Sequence, residues 1–276
     1  MARERLGQHF LYDAGWREQI AQAIHVFPHS RQRLETSTPP QDAYCWIEIG
    51  AGHGEMTRFL AATGAPVYAI EMDPPLIAQL RKLSANFSNL RIVPGDVLEI
   101  DLAALAAGRR MRVYGNLPYY ITSPILHRLF ELAELIDDIH IVIQLEVALR
   151  LVAHPGTRDY GYLSVLTQYF SHPAIALKIP RQAFRPAPQV SSALVSLNLP
   201  GEKARLTISG EEAFMEFVKM CFAHKRKTLV NNLRAVAPPA EVKHILSQLG
   251  LSAAARAEEL PVEQLAALFT KLKYET

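Results

Sequence analysis

Between residues 44 and 144, short runs rich in β-branched and aromatic residues alternate with stretches of helical periodicity. The runs cover residues 44–49, 66–71, 90–93, 111–114 and 139–144. Strands interleaved with helices in this way predict a mostly parallel sheet whose crossover helices cover its faces. Two further runs, 174–179 and 192–199, flank the Pro-rich stretch Phe184-Arg-Pro-Ala-Pro-Gln-Val. That stretch is too rigid and too poor in N–H donors for a helix, so the pair is expected to close one edge of the sheet. After Pro200-Gly201 the pattern turns helical throughout. Ser209 with Glu212 three residues on has capping-box spacing. Phe214, Phe217, Val218, Cys221 and Phe222 form one apolar stripe, and Val242, Ile245, Leu246 and Leu249 another that Gly250 ends. Pro261 suits a helix start ahead of Leu265, Leu268, Phe269 and Leu272. The expected organisation is an α/β domain over residues 1–199 and a small all-helical C-terminal domain over residues 200–276.

Composition narrows the classes. A chain of 276 residues, 49% hydrophobic and 20% charged, can bury one large core with material left for a second unit. A net charge of +2 does not by itself announce a nucleic-acid partner. From Lys203 to Thr276 there are 11 basic and 8 acidic residues, so the tail is mildly basic and the body nearly neutral. Cys45 and Cys221 form neither a disulfide framework nor a metal-ligand spacing, and no metal is expected. The first residues lack an apolar signal core, and charged residues break the most hydrophobic stretch. A cytoplasmic protein without membrane association is the expectation.

Candidate chemistry lies at the carboxyl ends of the runs. The first ends in Glu48-Ile-Gly50-Ala-Gly52-His-Gly54, where glycines permit a sharp turn and close approach of backbone to a ligand. A nicotinamide-binding loop wants its third glycine at position 55, which is Glu55 here, so a cofactor without a pyrophosphate fits better. Glu71, 21 residues after Gly50, stands where an acid accepts from ribose hydroxyls. Asp96 can accept from an adenine amino group, with Val97 against the ring. Each acid alone is as well explained as a helix cap, but suitable groups at three consecutive strand ends favour a nucleoside-type cofactor.

The fourth run leads into Gly115-Asn116-Leu117-Pro118-Tyr119-Tyr120. An exocyclic adenine amine is a weak nucleophile, because its lone pair is delocalised into the ring. The Asn116 side-chain carbonyl and the Leu117 main-chain carbonyl can accept its two hydrogens and turn the pair toward a methyl donor. Pro118 fixes the loop, and Tyr119 offers a flat face to an unstacked base. The plainer alternative is a tight turn with Pro at its second position.

The ordered set of motifs resembles the KsgA family of small-subunit ribosomal RNA adenine N6,N6-dimethyltransferases, from Leu6 to about Leu233. Gly7-Gln-His-Phe-Leu11 is similar to the family's N-terminal cofactor motif, the glycine loop to its second, and Asn116-Leu-Pro-Tyr119 to its catalytic motif. Gln144-Leu-Glu-Val147, Tyr160-Gly-Tyr-Leu-Ser164, Phe184-Arg-Pro-Ala-Pro-Gln-Val-Ser-Ser192 and Arg226-Lys-Thr-Leu-Val-Asn-Asn-Leu233 also look like family segments. The resemblance implies a Rossmann-like class I methyltransferase domain that uses S-adenosylmethionine, with His9, Leu11, Gly50, Glu71, Asp96 and Asn116 at the cofactor, to which the strand-end reading adds Gly52 and Val97. It implies dimethylation of two adjacent adenines near the 3′ end of the 16S RNA, in an assembling 30S particle, by a monomer.

His9 stands where Asn is commoner, Gln189 and Ser191 where Lys and Asp are frequent, and Lys225 where Arg is frequent. Lys225, Arg226, Lys227 and Arg234, at the start of the tail's second helix, are candidates for RNA phosphates, with a solvated helix face as the plain alternative. Phe184 is expected to join Tyr119 in stacking the flipped adenine. The competing expectations are a large-subunit adenine methyltransferase of the antibiotic-resistance type and a non-catalytic RNA-binding assembly factor. The tail's Arg226-Lys-Thr-Leu opposes the first, and intact Gly50, Glu71, Asp96 and Asn116 oppose the second.

Overall fold

The computed structural model describes residues 9–26, 43–118 and 121–274. The strands are β1 (Phe10–Leu11), β2 (Tyr44–Ile49), β3 (Val67–Glu71), β4 (Leu90–Pro94), β5 (Arg110–Asn116), β6 (Ile136–Gln144), β7 (His172–Ile179), β8 (Phe184–Arg185) and β9 (Ser192–Asn198). The helices are α1 (Ala14–Val26), α2 (Thr57–Ala61), α3 (Pro74–Ser84), α4 (Leu102–Ala106), α5 (Thr122–Phe130), α6 (Leu145–Leu151), α7 (Tyr162–Phe170), α8 (Glu211–Cys221), α9 (Leu229–Asn232), α10 (Pro239–Gln248) and α11 (Val262–Leu272).

Seven strands form one sheet in the order β4-β3-β2-β5-β6-β9-β7. The pairings among β4, β3, β2, β5 and β6 are parallel, whereas β9 runs antiparallel to β6. The residues explain this arrangement. Parallel strands covered on both faces need continuous apolar runs, and Val67–Glu71 is buried at every position. The order reverses between β2 and β5, which opens a crevice at their carboxyl ends. Beside the main sheet, β1 and β8 pair antiparallel, with Phe10 opposite Arg185 and Leu11 opposite Phe184.

Two compact units emerge, and they differ from the boundary expected at residue 200. One holds the described residues up to Ala148 together with Ala174–Leu199, and carries the sheet. The other joins Leu149–Pro173 to the chain from Pro200 onward. Within it, Tyr169 lies 5.2 Å from Phe214, and Phe269 lies 5.4 Å from Phe214 and 5.5 Å from Phe217. The Tyr160 hydroxyl donates to the Leu260 carbonyl at 2.9 Å, satisfying a phenol that is fully buried. The expected capping box at Ser209 does not form: α8 begins at Glu211 behind Gly210, with no side-chain cap.

Candidate functional site

The crevice at the reversal point is a cavity in the sheet-bearing unit, built from four strand ends and the segment around β1. The end of β2 contributes Ile49, Gly50 and Gly52, and that of β3 contributes Ile70, Glu71 and Met72. Gly95, Asp96 and Val97 follow β4, and Asn116, Leu117 and Pro118 close the far side after β5. His9, Phe10, Ile121 and Ile125 complete the lining.

Local chemistry explains each wall. Gly52 holds φ at +58°, and a Cβ there would come within 3.2 Å of the Phe10 ring, so only glycine fits. The Glu71 carboxylate, 4% exposed, accepts from the Gly52 amide at 2.9 Å and from the Met72 and Asp73 amides at 2.8 and 3.0 Å. A carboxylate has about four acceptor positions. Glu71 therefore spends most of its capacity on shaping the glycine loop and keeps little for a ligand hydroxyl. Asp96 Oδ1 accepts from the Leu98 amide at 3.0 Å, which turns the chain and leaves Oδ2 for other partners.

On the opposite wall, the Leu117 amide donates to the Val142 carbonyl at 3.0 Å. Asn116 Nδ2 donates to the main-chain carbonyl of His9 at 2.9 Å. That bond fixes the amide flip, because only the nitrogen can donate, and it makes Oδ1 the acceptor left for a ligand amine. His9 is itself held by its ring, with Nδ1 2.8 Å from the Pro186 carbonyl. A carbonyl only accepts, so Nδ1 carries its hydrogen. A buried carboxylate, an Asx-turned aspartate, a glycine-backed loop and apolar walls fit a nucleoside-type cofactor. Among the described residues, no three His, Cys, Asp or Glu side chains gather as a metal set.

The chain matches the family model described as ribosomal RNA adenine dimethylase over residues 1–273. The chain belongs to the ribosomal RNA adenine dimethylase family. A relative from Koribacter versatilis, named ribosomal RNA small subunit methyltransferase A, is 37% identical over 98% of this chain and 94% of its own. A relative of the same name from Xanthomonas axonopodis is 38% identical over 95% of this chain and 92% of its own. Among solved structures, a dimethyladenosine transferase from Plasmodium falciparum superposes with TM-score 0.77 at 22% identity, covering 96% of this chain and 99% of the other. The 23S rRNA methyltransferase ErmE gives 0.68 at 27% identity with the same coverage. The sheet is thus that of a Rossmann-like methyltransferase. As a ribosomal RNA adenine dimethylase, the chain is an S-adenosylmethionine-dependent methyltransferase.

Most residues predicted for the dimethylase site meet in the one cavity: His9, Gly50, Gly52, Glu71, Asp96, Val97, Asn116, Leu117 and Pro118. Two do not behave as expected. Leu11 points its side chain into the core at 5% exposure and is not among the residues lining the cavity, which leaves only its main chain to face a cofactor. Phe184 is 2% exposed in the same core cluster, because pairing of β8 with β1 turns its ring inward, and it cannot stack an RNA base. Tyr119 lies outside the described residues. Lys225, Arg226 and Lys227 are exposed, but they occupy the turn before α9 rather than its first turn, and Arg234 is exposed just after it. Lys225 Nζ donates to the Arg158 carbonyl, so one of these cations also ties down its own unit. Sequence reasoning missed Phe10, Ile49, Ile70, Met72, Ile121 and Ile125. Apolar residues resemble core in a sequence, and the one available signal was Met72, an apolar side chain directly after a site acid that stays 52% exposed.

Proposed function

We propose that this dimethylase methylates N6 of two adjacent adenines near the 3′ end of small-subunit ribosomal RNA, acting as a cytoplasmic monomer on an assembling small subunit. The observation that carries the reading is the cavity itself. It sets cofactor-type groups, Gly50, Gly52, Glu71, Asp96 and Val97, opposite an Asn116 amide whose flip is already fixed. S-adenosylmethionine supplies an electrophilic methyl group when bound. Glu71 offers its remaining acceptor position to a ribose hydroxyl, Asp96 Oδ2 accepts from the adenine amino group, and Val97 and Met72 cover the ring.

Across the cavity, Asn116 Oδ1 and the Leu117 carbonyl accept the two hydrogens of the target amine. Its lone pair is thereby held toward the donor and the growing positive charge is stabilised. Pro118 keeps the loop rigid, and Tyr119 supports the flipped base. No general base is required, because the amine becomes acidic once it carries the new methyl. Relatives 35–38% identical carry the small-subunit name, which favours that target over the large-subunit one of ErmE.

The test is transfer of labelled methyl groups to purified under-methylated small and large subunits, with the modified nucleosides then identified. Dimethyladenosine in the small-subunit RNA is expected, and labelling of the large subunit alone would overturn the target. Asn116→Ala is expected to lower turnover about 10²- to 10³-fold, as loss of an aligned transition-state partner does, with far less change in cofactor affinity.

A further inference from the structure

With Phe184 inside the core, the aromatic exposed on the paired β1 and β8 segments is Tyr12. It is 61% exposed, the most exposed of the large hydrophobic side chains among the described residues. The ring is also held in place. The Tyr12 and Asp13 amides both donate to the Ala183 carbonyl, at 2.8 and 3.1 Å. Leu11 and Phe184, its neighbours on the two paired strands, are anchored in the core. The Arg185 guanidinium carbon lies 4.4 Å from the Tyr12 ring centroid. A cation stacked on an aromatic face desolvates part of both and stiffens the pair.

The position of the pair decides what it can meet. His9 and Phe10 line the cavity, and Tyr12 follows Phe10 by two residues, about 7 Å of extended chain. Arg185 is the register partner of Phe10, so the pair sits next to a residue that lines the cavity. A flat aromatic face beside a guanidinium is the combination that stacks an unpaired base while drawing in its phosphate.

We infer that Tyr12 and Arg185 form a stacking platform for the unpaired nucleotide adjoining the target adenine, on the rim of the methyl-transfer cavity. This rests on the reading of the cavity as an RNA adenine site. The platform holds one base of the strand while its neighbour is extruded, so unstacking is compensated beside the reaction. With two adjacent target adenines, one of them can occupy the platform while the other is in the cavity.

The test is a fluorescence titration of a single-stranded oligoribonucleotide carrying 2-aminopurine beside the target adenine. It uses wild type, Tyr12→Ala, Tyr12→Phe and Arg185→Gln. Wild type should quench the probe, and Tyr12→Ala should lose the quench and bind about five- to tenfold more weakly, the low end of one stacked base. Tyr12→Phe should restore both and Arg185→Gln should give an intermediate loss, while S-adenosylmethionine affinity and thermal midpoint stay unchanged in all three. Equal quench and affinity in wild type and Tyr12→Ala would overturn the platform. Methylation of small subunits by wild type is scored separately. Its absence would sink the proposed target, whereas the platform stands or falls on the oligonucleotide alone.

Discussion

Glu48 shows how closely the site is backed by costly groups. It is 2% exposed at the end of β2, and burial pushes its carboxyl up to about 8, with the charges of Glu55 and Glu71 adding to the rise. A raised carboxyl keeps its proton in the folded chain while the unfolded chain loses it. The group's contribution is therefore intact below about pH 4.5 and declines between there and pH 8, by up to about 1.4 kcal/mol per pH unit. Glu48→Gln is expected to remove this slope and to raise the urea midpoint at pH 8 but not at pH 4.5; parallel pH profiles for both proteins would contradict it. At this scale the sequence was legible where chemistry stood at strand ends. Glu71, Asp96 and Asn116 could be read because suitable groups stood together at successive strand ends, where each alone would pass for a cap or a turn. Their occupation could not be read, because the three amides that engage Glu71 are main-chain groups brought to it by the fold. Phe184 was misread for a related reason: an aromatic in a Pro-rich stretch looks like loop until β1 arrives to pair with it.

Strands β5 and β6 carry a buried chain of charges that the hydrophobic pattern hid. Arg112 and Asp138 are register partners, with Arg112 Nε 3.0 Å from both carboxylate oxygens. His140 Nε2 lies 3.1 Å from Asp138 Oδ1, and its Nδ1 lies 2.9 Å from Ser196 Oγ on β9. The guanidinium also donates to the Ile24 carbonyl of α1 and lies 4.4 Å from the centroid of the Trp46 ring. Burial alone would raise the Asp138 carboxyl, but His140 and Arg112 outweigh it and lower it to about 2. The apolar pattern placed the start of this strand at residue 139, after the two aspartates. The strand in fact begins at Ile136, because these partners satisfy the charge inside the sheet. Asp138→Ala leaves a guanidinium buried without its counter-ion, so a loss of about 3 to 5 kcal/mol is expected by urea unfolding at pH 7. The deficit should narrow below about pH 4, as wild type loses the same contribution on approach to pH 2. A difference that held constant down to pH 2 would remove the ion pair as its cause.

Across the whole molecule, the change of pattern at residue 200 was readable because strands stop there, but the membership of residues 149–173 was not. Nothing in α7 distinguishes a helix that covers a sheet from one that packs on other helices. Its partners, Phe214 beside Tyr169 and the Leu260 carbonyl bonded to Tyr160, lie some 45 to 100 residues further on. A fragment ending at Leu199 is therefore expected to expose the apolar face of α7. It should bind a hydrophobic dye that the full chain does not bind, and an absence of dye binding by that fragment would refute the grouping. One long-range polar link at the site has the opposite character. Asn116 is steered by an oxygen that belongs to the peptide backbone 107 residues earlier, not to a side chain. Every amino acid supplies that oxygen equally, so the steering of Asn116 does not depend on the imidazole at position 9. What the steering cannot survive is removal of the peptide itself, so loss of the leading segment would leave the amide of a residue far along the chain without the anchor that orients it.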